Sequence, residues 1–233
     1  EVALTLSDDA AQELRALAAL LVEAEPPICS WLVSHTRESS TATRWVRLAR
    51  EHLGSYNPRA RFGAGSQTNF TELNRRRPST EGLDLLFYAL NPQVHAFDNS
   101  SLVETLEGQG WTVQSARRFA GGLPIAVSPV TLKPRFAPAR RAASELPPQV
   151  DVRQMSLFGA GWTLGSLKYL AENGVYSATY YETTGWLGVM EQESGSPLPQ
   201  RFPSVAGAVF PLYHVFADVG DFGEGEILTC VSS

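Results

Sequence analysis

Three polar segments of the sequence contain the residue types that acid–base chemistry requires. The first, residues 65–78, follows a predicted strand and contains amides, one carboxylate and three consecutive arginines. We predict that Glu72 acts as a general acid or base, and that Asn74 and Arg76 hold a hydroxyl or carboxylate group. The alternative is a glutamate–arginine pair whose only role is to order the loop.

The second segment, Asn91–Asn99, lies between a predicted strand and a predicted helix. We predict a catalytic role for His95, because an imidazole titrates near neutral pH and can move a proton or bind a metal. Asn91 and Asp98 are predicted to bind substrate. Asp98 has an alternative role as the N-terminal cap of the following helix, and a purely structural role for His95 also stays open.

The third segment, residues 180–186, has Glu182 at the end of a predicted strand, between tyrosines and a tryptophan. A carboxylate flanked by aromatic rings suits a polyol, because the rings cover the apolar face of a sugar while the carboxylate accepts hydroxyl groups or a proton. We therefore predict Glu182 as a catalytic carboxylate, with Tyr181 and Trp186 forming one wall of the site. Tyr180 is predicted to lie in the core, since alternate strand residues point to opposite faces.

Ser34 and His35 follow another predicted strand and are weaker candidates for substrate binding. Neither Ser34 nor Ser128 lies in a Gly-x-Ser-x-Gly pattern, so no serine hydrolase triad is predicted. The sequence has no His-Glu-x-x-His motif or other metal-ligand spacing, and we predict no metal and no cofactor. The alternative is a divalent cation shared by four residues: Glu72, His95, Asp98 and Glu182.

The composition excludes several classes of protein. The 233-residue chain is 43% hydrophobic and 18% charged, so it has the residues for a core and is not predicted to be disordered. Its net charge of −5, without a basic block, argues against a nucleic-acid partner. No apolar run approaches the roughly 20 residues of a membrane span. Cys29 and Cys230 form no disulfide framework, which favours a reducing, cytoplasmic compartment. The oligomeric state stays open.

The segments that position these residues alternate between strand-like and helix-like patterns. Short apolar strands are predicted to begin near residues 2, 28, 61, 84, 124 and 176, with amphipathic helices between most of them. This alternation predicts an α/β fold of βαβ units around a parallel sheet. Polar residues follow nearly every strand, as they do at the carboxyl end of a (β/α)8 TIM barrel. No glycine-rich nucleotide-binding loop follows the first strand.

Six strands are fewer than the eight that a TIM barrel builds from roughly 250 residues. We therefore predict an incomplete barrel, with residues 1–222 supplying its strands three to eight. Residues 223–233 are predicted to start a truncated C-terminal β segment, with a strand over Glu226–Val231. Two long helices are also predicted, over residues 101–119 and 152–173.

Four motifs together resemble the bacterial D-apionate lactonase family: Asn69–Arg75 with Pro78, Asn91–Asp98, Ser128–Leu132 and Tyr180–Trp186. The resemblance covers nearly the whole chain. It implies a glycosidase-like TIM barrel followed by a β domain, and hydrolysis of D-apionolactone to the open acid during apiose catabolism. The implied partner is a small carbohydrate or lactone substrate. A glycoside hydrolase of the TIM-barrel type and a non-catalytic carbohydrate-binding barrel are the alternatives.

The sequence departs from retaining glycosidases, which have an Asn-Glu pair at one strand end and a nucleophilic glutamate three strands later. The corresponding strand ends carry Ser34-His35 and Ser128-Pro129. Glu72 and Glu182 are themselves three strands apart, so a catalytic carboxylate pair at displaced positions stays an alternative. The two carboxyl groups would then lie about 5 Å apart in a retaining enzyme, or about 6.5–9.5 Å apart in an inverting one. For lactone opening, either glutamate is predicted as the base, with His95 or an arginine near position 76 stabilising the oxyanion.

Overall fold

Strands and helices alternate along most of the chain in the computed structural model, which describes residues 1–135, 142, 144–223 and 225–230. The strands are β1 (Val2–Leu6), β2 (Ser30–His35), β3 (Arg61–Ser66), β4 (Leu85–Leu90), β5 (Ile125–Val130), β6 (Ser177–Tyr180), β7 (Glu182–Thr184) and β8 (Gly188–Met190). The helices are α1 (Ala10–Ala24), α2 (Thr43–Leu53), α3 (Phe70–Arg75), α4 (Asn99–Glu104), α5 (Leu106–Arg117), α6 (Leu157–Glu172) and α7 (Pro211–Asp221), with a 3-10 helix over Val152–Met155.

Both predicted long helices are interrupted by a hydroxyl side chain. The first divides at Thr105, whose hydroxyl donates to the Ser101 carbonyl at 2.8 Å and so satisfies a terminal carbonyl of α4. The second divides at Ser156, whose side chain accepts from the Gly159 N–H and begins α6 after the 3-10 helix. The strand predicted over Glu226–Val231 is absent from residues 226–230, and Val231 lies outside the described residues.

The first six strands form one sheet in chain order, from β1 to β6. Parallel pairing aligns Val2 with Trp31 and Ser30 with Arg61, and Gly63 with Leu85 in the next pair. Neighbouring strands joined through helices confirm the predicted α/β class. Within the described ranges, no helix combines the length and apolar character needed to cross a membrane.

The chain divides into two compact units, residues 1–89 with 114–128, and residues 90–113 with 129–233. In the first unit every residue of β2 is buried, and residues of the sheet alternate between two apolar layers. One layer contains Trp31 and Phe62, whose ring centroids lie 6.3 Å apart. The other contains a buried cluster of four residues: Leu32, Leu85, Phe87 and Ala126.

Two glycines of β3 make room for the second apolar layer. A Cβ atom on Gly63 would lie 2.2 Å from Leu85 Cδ1, and one on Gly65 would lie 1.8 Å from the Phe87 carbonyl oxygen. Both distances are far below van der Waals contact, so neither position accepts a side chain. The glycines therefore let the large side chains of β4 cover β3.

The second unit packs around a cluster of five buried apolar residues: Val150, Ala160, Phe202, Phe210 and Leu212. Phe202 and Phe210 form its aromatic centre, with ring centroids 5.9 Å apart. The cluster joins the segment before the 3-10 helix to α6 and α7. It also packs against Tyr181 and Trp186, which follow β6.

A buried network of Gln93, Asp151 and Arg153 ties together three segments of the second unit. Arg153 Nη2 donates to Asp151 Oδ2 at 2.7 Å and to Gln93 Oε1 at 2.9 Å. Gln93 Nε2 donates to the same Asp151 oxygen at 2.6 Å and to the Leu132 carbonyl at 2.7 Å. Arg153 Nη1 reaches the Phe97 carbonyl at 3.0 Å. The segments after β4 and β5 are thereby fixed to the 3-10 helix.

The Asp151 carboxylate is the centre of this network and is only 5% exposed. Its burial disfavours the charged form, but hydrogen bonds from Arg153 and Gln93 outweigh that effect. The pKa of Asp151 therefore lies below its ordinary value. Removing one partner would leave the guanidinium of Arg153, itself mostly buried, without its counter-charge.

We predict that Gly65→Ala lowers the free energy of unfolding by more than about 2 kcal/mol, because the new methyl group meets the Phe87 carbonyl. Urea denaturation measures this loss. The control is Gly161→Ala on α6, where a Cβ meets nothing within 4 Å, and which is expected to stabilise the protein by up to about 1 kcal/mol. Equal stability of Gly65→Ala and the unmodified protein would contradict the tight β3–β4 approach.

We predict that Asp151→Asn destabilises the protein by about 3–5 kcal/mol at pH 7. Since the folded pKa of Asp151 is lowered, its stabilising contribution is complete above the unfolded pKa of about 3.9 and is lost as pH falls through the folded pKa. The difference between variant and unmodified protein should therefore shrink at acid pH in urea denaturation. Asp9→Asn, at an exposed position, is the control. A difference that does not change with pH would count against the network.

Candidate functional site

The backbone turns sharply at the end of β6, where Tyr181 adopts a left-handed conformation with φ of 51°. This region is uncommon for a bulky residue and is retained only where the surroundings hold it. The Tyr181 hydroxyl and the Thr163 hydroxyl lie 2.8 Å apart, and the ring packs against the Phe202 and Phe210 cluster. Burial raises the pKa of Tyr181, so its phenol stays neutral. Tyr181 therefore anchors the turn; it does not line the cleft that contains Trp186, and its role as a substrate wall stays a prediction.

The segment after Tyr181 contains a very short parallel strand pair. β7 and β8 pair in parallel through Glu182 with Gly188 and Thr184 with Met190. Parallel strands ordinarily need about a dozen connecting residues, and here only residues 185–187 connect them. Gly185 makes this turn with φ of 83°, and a Cβ on Gly188 would lie 2.6 Å from the Thr184 backbone. Both glycines are thus required by the geometry.

Glu182 and Trp186 line one cleft of about 220 Å³. Gln149 and Gln192 also line it, and the remaining lining is mainly apolar: Pro147, Val150, Leu187 and Pro197 among others. Trp186 is fixed by a 2.9 Å hydrogen bond from its indole N–H to the Ser196 hydroxyl. Glu182 and Trp186 thus line the same cleft, and their roles in catalysis and substrate binding stay predictions. We call this the Glu182 cleft.

The Glu182 side chain is exposed. Within the described part of the chain, its carboxylate accepts no hydrogen bond and forms no ion pair, while its backbone N–H donates to the Leu187 carbonyl at 2.9 Å. A carboxylate without a protein partner keeps its lone pairs available to a ligand or a water molecule. The second unit contains two predicted catalytic residues, His95 and Glu182. Of these, Glu182 lines the same cleft as Trp186.

Sequence reasoning missed Glu191, which also lines the Glu182 cleft and is 1% exposed. One of its carboxylate oxygens accepts from the Gln192 N–H at 2.8 Å, and the other accepts from the Ser204 hydroxyl. Both oxygens of this carboxylate are therefore hydrogen-bonded within the protein, and they fix one wall of the cleft. The sequence signal for a buried glutamate was its position directly after the apolar residues 187–190, but its partner Ser204 is distant in sequence.

Glu72, Asn74 and Arg76 lie in the first unit, at α3. Asn69 caps this helix, and Glu72 accepts a 2.8 Å hydrogen bond from Arg75, one turn away. Asn74 Oδ1 accepts from Arg77 at 2.8 Å, and Arg76 is exposed and donates its backbone N–H to the Glu72 carbonyl at 3.1 Å. The geometry matches the alternative in which a glutamate–arginine pair orders the loop.

The residues after β4 are placed near the start of α4. Asp98 caps this helix by accepting from the Ser101 N–H at 2.9 Å and from the Ser101 hydroxyl at 2.7 Å. These hydrogen bonds lower the pKa of Asp98. Asp98 is thus the N-terminal cap of α4, which was the alternative to substrate binding. His95 is exposed, and Asn91 is partly buried; neither lines the Glu182 cleft.

Ser34 and His35 are both buried and held by other parts of the first unit. Ser34 donates to the Leu4 carbonyl at 2.8 Å. The His35 ring stacks on Trp45 with a centroid distance of 4.1 Å, and its Nε2 lies 3.6 Å from Asp8. Because adjacent strand residues face opposite sides, His35 points to the helix layer. Neither placement supports the predicted substrate-binding role.

No three His, Cys, Asp or Glu side chains come together in a metal-binding arrangement within the described residues. The divalent cation shared by Glu72, His95, Asp98 and Glu182 thus stays a hypothesis from the sequence. Glu182 and His95 belong to the second unit and Glu72 to the first.

Solved structures with a similar fold include carbohydrate-active enzymes. The Ruminococcus gnavus β-glucuronidase has a TM-score of 0.56 at 8% identity, over 90% of this chain and 35% of that chain. The Rhizomucor miehei β-1,3-glucanosyltransferase has a TM-score of 0.55 at 11% identity, over 87% and 74%. The Xanthomonas axonopodis pv. citri GH39 enzyme has a TM-score of 0.52 at 12% identity, over 91% and 45%. At these identities the likeness concerns the fold alone.

Sequence comparisons are more specific. A D-apionate lactonase from Brucella anthropi is 30% identical in an alignment 163 residues long that covers 67% of this chain and 26% of the relative. The chain thus spans about a quarter of the length of that curated relative. The family model for the TIM barrel domain of D-apionate lactonase matches residues 1–224. This confirms the resemblance and the incomplete TIM barrel drawn from the sequence, and the chain belongs to the D-apionate lactonase family.

Proposed function

We propose that the protein hydrolyses a sugar-derived lactone of the D-apionolactone kind to its open acid, and that the Glu182 cleft binds this small substrate. The observation that carries the proposal is the free carboxylate of Glu182 beside the Trp186 indole in one cleft. Family membership supports the lactone as substrate class. The pathway of apiose catabolism and the cytoplasmic location stay predictions.

Lactone opening needs a base, a donor for the developing oxyanion and a surface for the sugar ring. Glu182 accepts a proton from water as the water oxygen attacks the lactone carbonyl carbon. The tetrahedral intermediate then collapses, the ring C–O bond breaks, and the proton passes to the departing alkoxide oxygen. The amides of Gln149 and Gln192 line the same cleft and supply N–H donors for the oxyanion.

Trp186 covers the apolar face of the sugar in this proposal. Its indole is held by the hydrogen bond to Ser196 and by packing near Phe202, with ring centroids 6.4 Å apart. A ring fixed on two sides loses little conformational freedom when the ligand binds. Trp186 therefore contributes to substrate affinity, whereas Glu182 contributes to the chemical step.

The engagement of the other carboxylates favours lactone opening over glycoside hydrolysis. Glycosidases typically use two carboxyl groups that flank the scissile bond, while the Glu182 cleft has one free carboxylate. The second, Glu191, accepts from Ser204 and Gln192 and is 1% exposed. Glu72 accepts from Arg75. One base is sufficient to activate water toward a lactone carbonyl.

We predict that Glu182→Gln lowers kcat for D-apionolactone opening by about 10²–10⁴-fold with little change in KM, because general-base catalysis contributes that much. Trp186→Ala is expected to raise KM instead. The measurement is acid release at constant pH by the whole protein. Glu72→Gln is the matched control and should keep activity. Full activity of Glu182→Gln would reject Glu182 as the base.

The same proteins distinguish the two alternative functions. Cleavage of nitrophenyl glycosides that is lost in Glu182→Gln, without lactone opening above background, would indicate a glycoside hydrolase. Lactone binding in calorimetry without turnover would indicate a non-catalytic carbohydrate-binding barrel. Either result would overturn the lactonase proposal.

A further inference from the structure

The lining of the Glu182 cleft comes from segments that are distant in the chain. One part of it, Gln149 and Val150, directly precedes the capped 3-10 helix. Another part, Trp186 and Leu187, lies in the turn between β7 and β8. Both parts belong to the second unit. The shape of the cleft therefore depends on what holds these two parts together.

One buried side chain connects the two parts of the lining. Gln154 lies in the 3-10 helix that follows Val150, and it is 2% exposed. Its Nε2 atom donates to the Gly188 carbonyl at 2.9 Å, and the Leu187 carbonyl oxygen lies 3.5 Å from the same atom. A buried amide is held in such a geometry, because leaving its N–H groups unpaired costs free energy.

The bond from Gln154 belongs to a continuous series of hydrogen bonds along β8. The carbonyls of Leu187, Val189 and Met190 each accept from a backbone N–H of another segment. The carbonyl of Gly188, which lies among them, accepts from the Gln154 side chain. Gly188 is buried, so loss of this donor would weaken the attachment of the turn at the point where it enters β8.

The 3-10 helix that carries Gln154 is itself fixed at its start. Asp151 caps this helix by accepting from the Arg153 N–H at 2.9 Å, and it belongs to the buried network. Lys133 Nζ donates to the Val150 carbonyl at 3.1 Å. Gln154 therefore ties the β7–β8 turn to a firmly held segment of the second unit.

We propose that Gln154 is a positioning residue for the Glu182 cleft. It does not line the cleft. It acts through the β7–β8 turn, which it holds so that Trp186 is in place for the ring of the ligand. The inference rests on the proposed function for the identity of that ligand, a lactone, but not for the arrangement of the cleft. A displaced Trp186 would contact the ring less well in the ground state and the transition state alike, so the expected effect is on KM.

Gln154→Met tests this role, because it keeps an unbranched side chain and removes the N–H donor. We expect KM for D-apionolactone to rise about tenfold with little change in kcat. We also expect a shift of the indole N–H signal of Trp186 in NMR spectra of the whole protein, where Trp186→Phe identifies that signal.

The matched control is Gln109→Met, at another buried glutamine of the second unit. Its amide oxygen accepts from the Ser166 hydroxyl, and it does not line the Glu182 cleft. The control also removes a buried amide, but one that has no contact with the β7–β8 turn. We expect it to leave KM and the indole signal unchanged.

Gln154→Glu provides a second variant, of nearly the same shape. Its carboxylate lacks a donor, whereas the protonated acid has an O–H group that can donate to the Gly188 carbonyl. We therefore expect any defect of Gln154→Glu in KM and in the indole signal to diminish as pH falls, relative to the unmodified protein at the same pH. Gln154→Met should show no such recovery. A defect of Gln154→Glu that does not respond to pH would count against the proposal.

Three outcomes would overturn the proposal: an unmoved indole signal in Gln154→Met, an unchanged KM in that variant, or equal changes in Gln109→Met. Thermal unfolding checks that each variant is folded. If the unmodified protein opens no lactone, the proposed hydrolysis fails, and the indole signal still decides whether Gln154 positions the cleft. The two failures are thus distinguishable.

Discussion

Burial of the parallel strands on both faces is the constraint on which the rest of the structure depends. Every residue of β2 and β4 is buried. A polar side chain inside such a strand would need a partner in an apolar layer, and leaving it unpaired costs free energy. Chemistry is therefore confined to the strand ends. The Glu182 cleft accordingly follows the carboxyl end of β6.

The Glu182 cleft depends on a sharp turn of the backbone after β6 and on the contacts that hold this turn in place. At β6, Tyr181 takes a left-handed conformation that its contacts with Thr163 and the aromatic cluster retain. Gly185 and Gly188 then allow a parallel pair with a three-residue connection. The strain and the close approach are supported by apolar packing in the second unit. The result is a fixed indole and a carboxylate without a described partner in the same cleft.

The alternation of apolar strands and amphipathic helices was sufficient to predict the fold class, and β1 and β3 begin at residues 2 and 61, where strands were predicted to begin. The roles of polar residues after the strands were harder to predict. Glu72 and Asp98 are engaged by Arg75 and Ser101, because residues that suit catalysis also suit helix capping and local ion pairs. Only three-dimensional contacts separate these roles, as with Glu191, whose partner Ser204 is distant in the chain.

The fold and the proposed chemistry are separate properties of this chain. Barrels of this kind occur in glycosidases and transglycosylases, and the same strand ends can carry different reactions. The difference lies in which carboxylates the protein itself occupies. Among the described residues that line the Glu182 cleft, Glu191 has its oxygens taken up by Ser204 and the Gln192 N–H, whereas the Glu182 carboxylate has no partner. Occupying the second carboxylate removes the pair that glycoside cleavage typically requires and leaves the single base that lactone hydrolysis needs.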